Sequence, residues 1–228
     1  MQIGCNFVKM KYLKLDSINT RALSMNQIIK QLRKRRTIRK FKSQSIDEKC
    51  LIQMVDAARF APSVSNIQPC EYIIIHHSQK IHEVFECVDW REAAAPLETP
   101  KKHEQPASYV IILIDMLKKS KYGTIDAASA AIYILLAAIE KNVGTCWIRS
   151  INRKKLKKYL RIPHHLHVDS IIALGFPDEH SVVEESIGPT HVWKDKDGVV
   201  HVPKRSLEDI CHMNGYTNYY SKSRNSIC

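Results

Sequence analysis

Residues 58–77 read Ala-Arg-Phe-Ala-Pro-Ser-Val-Ser-Asn-Ile-Gln-Pro-Cys-Glu-Tyr-Ile-Ile-Ile-His-His. Upstream of this stretch, Leu51, Met54, Val55 and Ala58 recur at helical spacing behind Ser45-Ile46-Asp47-Glu48, which reads as a capping box. That helix has to stop before Pro62, because a proline disfavours helical backbone in the residue ahead of it. Downstream, Glu71–His77 is a β-branched and aromatic run of the kind that forms a buried strand. The loop between them is pinned by prolines at both ends. Its Ser, Asn and Gln side chains offer both donors and acceptors. A helix handed to a buried strand through a polar loop implies helices packed on a sheet.

Working outward, Tyr109–Asp115 and Val168–Gly175 are two further strong strands, and Cys146–Ile151 is a short one. Asn26 is placed to cap a helix reaching Lys34, Lys80–Val88 reads as helical, and residues 125–142 form the most apolar helix, closed by Asn142-Val143-Gly144. Asn152 caps a basic helix running to about Leu160. Asp197-Gly198, within Val192–Val202, is a hairpin signal, and Ser206 is placed to cap a last helix over Leu207–Met213. Strands and helices alternate without a strict βαβ order. The expected fold is α+β: a three-layer α-β-α sandwich around a central, mainly antiparallel sheet. Residues 1–24 read as a leader, 25–214 as the domain and 215–228 as a polar tail. Residues 89–106, rich in proline, acid and alanine, read as a long and mobile connection.

Composition bounds the function. In 228 residues, 44% hydrophobic and 25% charged is ordinary globular usage. Seven cysteines show neither a CxxC pair nor a metal-ligand spacing, so a reducing compartment with free thiols and no metal is expected. The N-terminus lacks the apolar core of a signal peptide, and Ala127–Ile139 is too short to span a bilayer. A soluble, cytoplasmic protein is expected. The formal charge of +12 favours anionic partners. Eight of the thirteen residues from Lys30 to Lys42 are basic, and six more cations lie between Arg153 and Arg161.

Four segments are able to carry chemistry. Arg35-Arg36-Thr37-Ile38-Arg39-Lys40-Phe41 groups three guanidinium forks and a hydroxyl, a donor set that matches phosphate oxygens. The same residues also suit a plain basic surface or a nucleic-acid patch. The loop 61–70 suits the polar edge of a heteroaromatic ring, or is an ordinary connection. Asn142-Val143-Gly144-Thr145-Cys146-Trp147-Ile148-Arg149-Ser150 has small residues that let backbone approach a flat ligand, or is a capped helix end. Lys204 and Arg205 precede the expected helix at Ser206, where amides favour an anion, or are an exposed basic pair.

Taken in order, these segments resemble the nitroreductase family of flavoproteins. The family's R-R-S-x-R-x-F is matched by RRTIRKF, its A-P-S-x-x-N-x-Q-P-W by APSVSNIQPC, and its G-x-G-T-C-W-I by NVGTCWI. ALGFP and KRSLEDI follow in place of A-L-G-Y-P and R/K-x-x-L-E-E-V. The resemblance spans about residues 26–214 and implies an FMN-dependent oxidoreductase acting as a homodimer, with NADH or NADPH as co-substrate. It implies that Arg35, Arg36 and Thr37 hold the FMN phosphate and ribityl chain, with Lys204 or Arg205 closing over it. Arg39 would lie near the N1/O2 edge of the ring. Trp147, Ile148, Arg149 and Ser150 would pass along the ring, with the Arg149 amide near N5. Pro62, Ser63, Val64, Asn66 and Gln68 belong to the loop that reaches the flavin from the partner subunit, and the helix 125–142 would be a subunit contact. Cys70 stands where the family usually has Trp, and Arg149 where it often has an acidic or small residue. No side-chain base is implied; the flavin carries the chemistry to a nitroaromatic, quinone or similar small acceptor by ping-pong exchange. Two other functions fit the charge: a flavoprotein reduced by an acidic protein partner, and a nucleic-acid-binding protein. The second leaves the 61–70 loop unexplained and lacks interleaved aromatics.

Overall fold

The computed structural model describes residues 27–91, 98–186 and 188–216. The expected leader, residues 92–97 of the expected mobile connection, and the tail from residue 217 lie outside the described residues. Among the described residues, those up to Lys34 form one unit and those from Arg35 another. In the first, α1 (Gln27–Lys34) ends on Arg33 and Lys34, where the helix dipole favours cations.

In the second unit, α2 (Glu48–Ala58) is capped by Asp47, whose carboxylate accepts from the amides of Lys49 and Cys50. Asp47 rather than Ser45 is the capping residue, because it sits directly ahead of the first helical residue. The helix ends four residues before Pro62, and the loop leads to β1 (Cys70–Ile75). Then come α3 (Ser78–Phe85), β2 (Ser108–Asp115), α4 (Gly123–Glu140), β3 (Gly144–Ile148), α5 (Arg153–Leu160) and β4 (Leu166–Gly175). The four strands form one sheet in the order β1-β2-β4-β3, every pairing antiparallel.

Successive residues of a strand face opposite sides of a sheet. Here both sides are covered, which explains why β2 and β4 are apolar runs without alternation. On one face Tyr109, Ile111, Ile171 and Ala173 pack with Val84 of α3 and Leu156 of α5. On the other, Val110, Ile112, Ile172 and Leu174 pack with Leu51 and Met54 of α2 and Ile134 and Leu135 of α4. Each buried Val, Leu, Ile or Met side chain among them contributes about 1.5–3 kcal/mol by leaving water. The result is the expected α-β-α sandwich. α4 extends beyond Ala127–Ile139 to eighteen residues and is, by length and composition alone, apolar enough to cross a membrane. Its face formed by Ala127, Ala130, Ala131, Ile134 and Ala138 is buried in the domain.

α4 closes on Asn142, which takes the left-handed conformation (φ 56°) while the Val143 amide reaches back to the Ala138 carbonyl at 2.9 Å. Gly144 therefore belongs to β3 and not to the cap. Beyond β4 the chain forms a second sheet that the sequence shows only in part. β5 (Ser181–Ser186) pairs parallel with β7 (Val200–Arg205), and β6 (Trp193–Lys194) pairs antiparallel with β7 across the expected Asp197-Gly198 turn. β5 has no strong apolar pattern: two of its six residues are exposed and none is buried. The helix expected at Leu207–Met213 is a single turn: the Asp209 amide bonds the Ser206 hydroxyl and the Cys211 amide bonds the Leu207 carbonyl.

The segment ahead of α2 is locked to the sheet edge. The Ile38 amide donates to the Thr145 carbonyl at 2.9 Å, and fully buried Phe41 covers Gly175. A methyl group on Gly175 would meet the Phe41 ring at 2.7 Å. Gly175→Ala is expected to lower stability in urea denaturation by about 1–3 kcal/mol, whereas Gly188→Ala, with nothing within 4 Å, should be near neutral.

Candidate functional site

The structure gathers the residues singled out in the sequence into three places. The first is the outer edge of β3. Thr37 pairs with Thr145 in a parallel bridge, which sets the 35–39 segment against the start of β3 with Arg35 and Arg39 within electrostatic reach of Cys146, and the chain continues from β3 through Arg149 and Ser150. Arg35, Arg36, Thr37 and Arg39 are all half-buried. Burial lowers the pKa of the Arg35 and Arg36 guanidinium groups, and for Arg36 its neighbour Arg35 adds to the effect. Among the described residues no carboxylate lies within ion-pair distance of Arg35. A desolvated cation without an anion is costly, and a bound anion removes that cost. Arg36 also donates to the Arg35 carbonyl, and the Arg39 amide to Glu179.

Gly144 serves the chain's own packing here. A Cβ at this position would lie 2.9 Å from Ile38 and 3.0 Å from Pro177. Cys146 is buried, which pushes its thiol up to about 11. It stays protonated at neutral pH and is no nucleophile.

The second place is the loop 61–68, beside β1 at the opposite edge of the sheet. Three strand spacings separate the two edges, about 14 Å. Ser65, Asn66 and Gln68 all take left-handed backbone (φ 53°, 54° and 51°). Such a conformation costs of the order of 1 kcal/mol per residue and persists only when its surroundings impose it. Asp126, buried in the first turn of α4, imposes it: one carboxylate oxygen accepts from the Val64 amide at 2.9 Å and the other from Ser120 at 3.2 Å. Ser63 accepts from the Gln68 amide at 3.0 Å, the Gln68 side chain donates to Asn66 at 2.9 Å, and Lys118 donates to the Gln68 carbonyl at 2.8 Å. Next to the loop lies an open cavity of about 500 Å³, with Pro62, Ser63, Gln68, Cys70, Tyr72 and Asp126 in its wall. Cys70, where the resemblance would place a Trp, is one of the residues that line it. Burial pushes its thiol up to about 11.

Lys204 and Arg205 form the third place. They lie at the end of β7 paired with Glu185 and Ser186, and Arg205 donates to the Asp209 carbonyl at 2.7 Å. They do not precede a helix, so no helix terminus adds to their charge. Within this small sheet His201 sits between Glu184 (3.1 Å) and Asp195 (3.2 Å), with its ring stacked on Trp193 at 3.8 Å. The two carboxylates raise the His201 pKa. Among the described residues no cluster of His, Cys, Asp or Glu is placed to hold a metal ion.

Three residues escaped the sequence reading. Asp126 supports the loop. Asp169, buried at the β-bulge where β2 and β4 slip register, meets Arg149 at 3.3 Å. Arg153 fills the opening left by that bulge, donating to the carbonyls of Val168, Arg149 and Asp169 at 2.8, 3.2 and 3.0 Å. For the two acids the signal was there: a lone carboxylate in an apolar helix and another in an apolar strand.

A two-faced α-β-α sandwich with a guanidinium-lined sheet edge defines a nitroreductase-type oxidoreductase. Residues 32–176 match the Nitroreductase family, and the chain belongs to it. A protein of Archaeoglobus fulgidus named as an NADH dehydrogenase/NAD(P)H nitroreductase is 27% identical over 183 residues, covering 75% of this chain and 99% of its own. An iodotyrosine deiodinase of Thermotoga neapolitana is 24% identical over 169 residues, 68% of this chain and 91% of its own. A solved Desulfovibrio desulfuricans nitroreductase in complex with FMN superposes with a TM-score of 0.63 at 18% identity, over 84% of this chain and 99% of that one.

Two outcomes are expected. Asp126→Ala leaves the Val64 amide without its acceptor and should cost about 1–3 kcal/mol, with amide exchange at Val64 accelerating more than in the surrounding helix. The His201 clamp holds while the imidazole is charged. Its contribution is full below pH 6.5, the ordinary value, and is lost as pH rises through the elevated folded value. Exchange protection of the Trp193–Val202 hairpin should fall over that interval, and His201→Gln should remove the pH dependence.

Proposed function

We propose that the chain is an FMN-dependent oxidoreductase that takes reducing equivalents from NADH or NADPH and passes them to a nitroaromatic, quinone or similar small acceptor, one after the other at a shared site. The observation that carries this is Arg35, half-buried on the β3 edge with no carboxylate at ion-pair distance among the described residues. Together with Arg36 and the Thr37 hydroxyl it makes a donor set that fits a phosphate monoester. FMN, when bound, supplies the two-electron chemistry. The chain's residues hold and orient it: Arg35, Arg36 and Thr37 at the phosphate, Arg39 as a cation toward the ring, and the 147–150 segment along it. Lys204 and Arg205 are the remaining cations assigned to the phosphate.

The loop 62–68, with Pro62, Ser63, Val64, Asn66 and Gln68, lies at the far edge of the same sheet and cannot reach those residues within one chain. We assign it to the flavin of a second copy, which makes the functional unit a homodimer. Supporting this, α4 and the segments beside the loop expose Ile125, Ile132, Val64, Ile67, Met116 and Leu117. Singly exposed apolar residues are ordinary; a group of them around one loop marks an interface. The described cysteines are free thiols, in keeping with a reducing cytoplasm.

The purified chain should be yellow, sediment as a dimer and lose its visible flavin band on anaerobic addition of NADH or NADPH. Colourless protein that fails to take up FMN would sink the proposal. Arg35→Ala should weaken FMN binding by about 2 kcal/mol, roughly thirtyfold, with the fold intact.

A further inference from the structure

The helix α5 and its flanks carry charge that the fold does not use. From Arg149 to Val168 there are seven Lys and Arg and no Asp or Glu. Two of the seven are spoken for: Arg149 meets buried Asp169, and Arg153 is bound to three backbone carbonyls. Lys155 reaches the Glu86 carbonyl at 3.1 Å and its carboxylate at 3.9 Å. Lys154, Lys158 and Arg161 are exposed, Lys157 is half-buried, and none of these four has a carboxylate at ion-pair distance among the described residues. Their arrangement opposes helix stability. Lys154 and Lys158, four residues apart within the helix, stack like charges along one side, and Arg161 is the left-handed residue that ends the helix. Arg153, Lys154 and Lys155 occupy the first turn, where the helix dipole disfavours cations. What holds the helix is the Asn152 cap (3.0 Å to the Lys155 amide), the buried Leu156 and the Arg153 bonds. The first-turn cations and the Lys154–Lys158 pair are thus kept against repulsion, while the dipole favours Lys157 and Lys158 in the last turn.

Its position is equally specific. α5 lies on the sheet face opposite α4, away from the apolar surface assigned to the second copy. Its first turn is tied through Arg153 to the Arg149 carbonyl, at the end of the segment assigned to the flavin ring.

We propose that this face docks an acidic electron-carrier protein, of the small iron–sulfur class, beside the flavin; the electron transfer rests on the flavin reading of the site. Lys154, Lys157, Lys158 and Arg161 meet the carrier's carboxylates and draw it in by long-range attraction. Two reduced clusters each give up one electron and water supplies one proton, so that bound FMN is converted to its two-electron-reduced anion and both clusters are oxidised.

The test uses the full FMN-loaded chain, an acidic bacterial ferredoxin as probe, and the triple variant Lys154→Glu/Lys158→Glu/Arg161→Glu, whose residues lie outside the flavin site. Ferredoxin should bind at 25 mM salt, weaken at least tenfold by 250 mM, and bind the variant at least tenfold more weakly. Flavin bleaching by reduced ferredoxin should slow by the same factor in the variant, while bleaching by NADH or NADPH stays within twofold. Equal ferredoxin binding by the parent and variant proteins overturns the proposal. So does tighter, variant-sensitive binding of a DNA duplex or of anionic phospholipid vesicles, which would assign the face to those ligands. Failure to take up FMN shows in the spectrum before any partner is added; it removes the flavin reading and the electron transfer, whatever the face binds.

Discussion

Phe41 lying on Gly175 is the contact on which the candidate site depends. The ring is fully buried, and the glycine is needed because no side chain fits beneath it. With Phe41 fixed, the Ile38 amide bonds the Thr145 carbonyl, and the arginines at 35, 36 and 39 are laid along β3 rather than left as a solvated basic segment. Gly144 against Ile38 makes the same kind of fit one strand away. Two glycines therefore place a row of guanidinium groups. The core creates the site's electrostatics by desolvating Arg35 and Arg36.

The opposite edge uses another device. A loop of ordinary residues is held in left-handed backbone by hydrogen bonds from a buried carboxylate, a hydroxyl and a lysine. The strain is distributed over Ser65, Asn66 and Gln68 and offset by Asp126. Rigidity of this kind keeps donor positions set before a ligand arrives, which lowers the ordering cost of binding.

Much of this was legible in the chain itself. β1, β2 and β4 announced themselves as apolar β-branched runs because both sheet faces are covered, and Asn152 marked the start of α5 by its side-chain chemistry. The arginine segment and the 61–70 loop were recognisable as motifs in order along the sequence. Less legible was what depends on contacts distant in sequence. Ser45 and Asp47 are both good caps, and only the helix's first hydrogen bond chooses between them. β5 alternates weakly because none of its residues is fully buried, and it exists through its pairing with β7. Ser206 has the chemistry of a cap, yet Leu207 and Ile210 remain exposed and no apolar face anchors a longer helix. Asp126 and Asp169 were single acids in apolar runs, and their roles became visible only when Val64 and Arg149 were seen beside them.

The two edges of one sheet carry complementary halves of the proposed site, and a single chain cannot fold them together. Catalytic competence then becomes a property of association, subject to mass action. In the proposed dimer, dilution toward the dissociation constant of the pair would leave each chain its fold and its arginine row but remove the partner's loop. Activity per chain would fall with concentration while stability within the chain stays nearly constant. Cellular abundance would then set not only how many sites exist but whether any given chain has one.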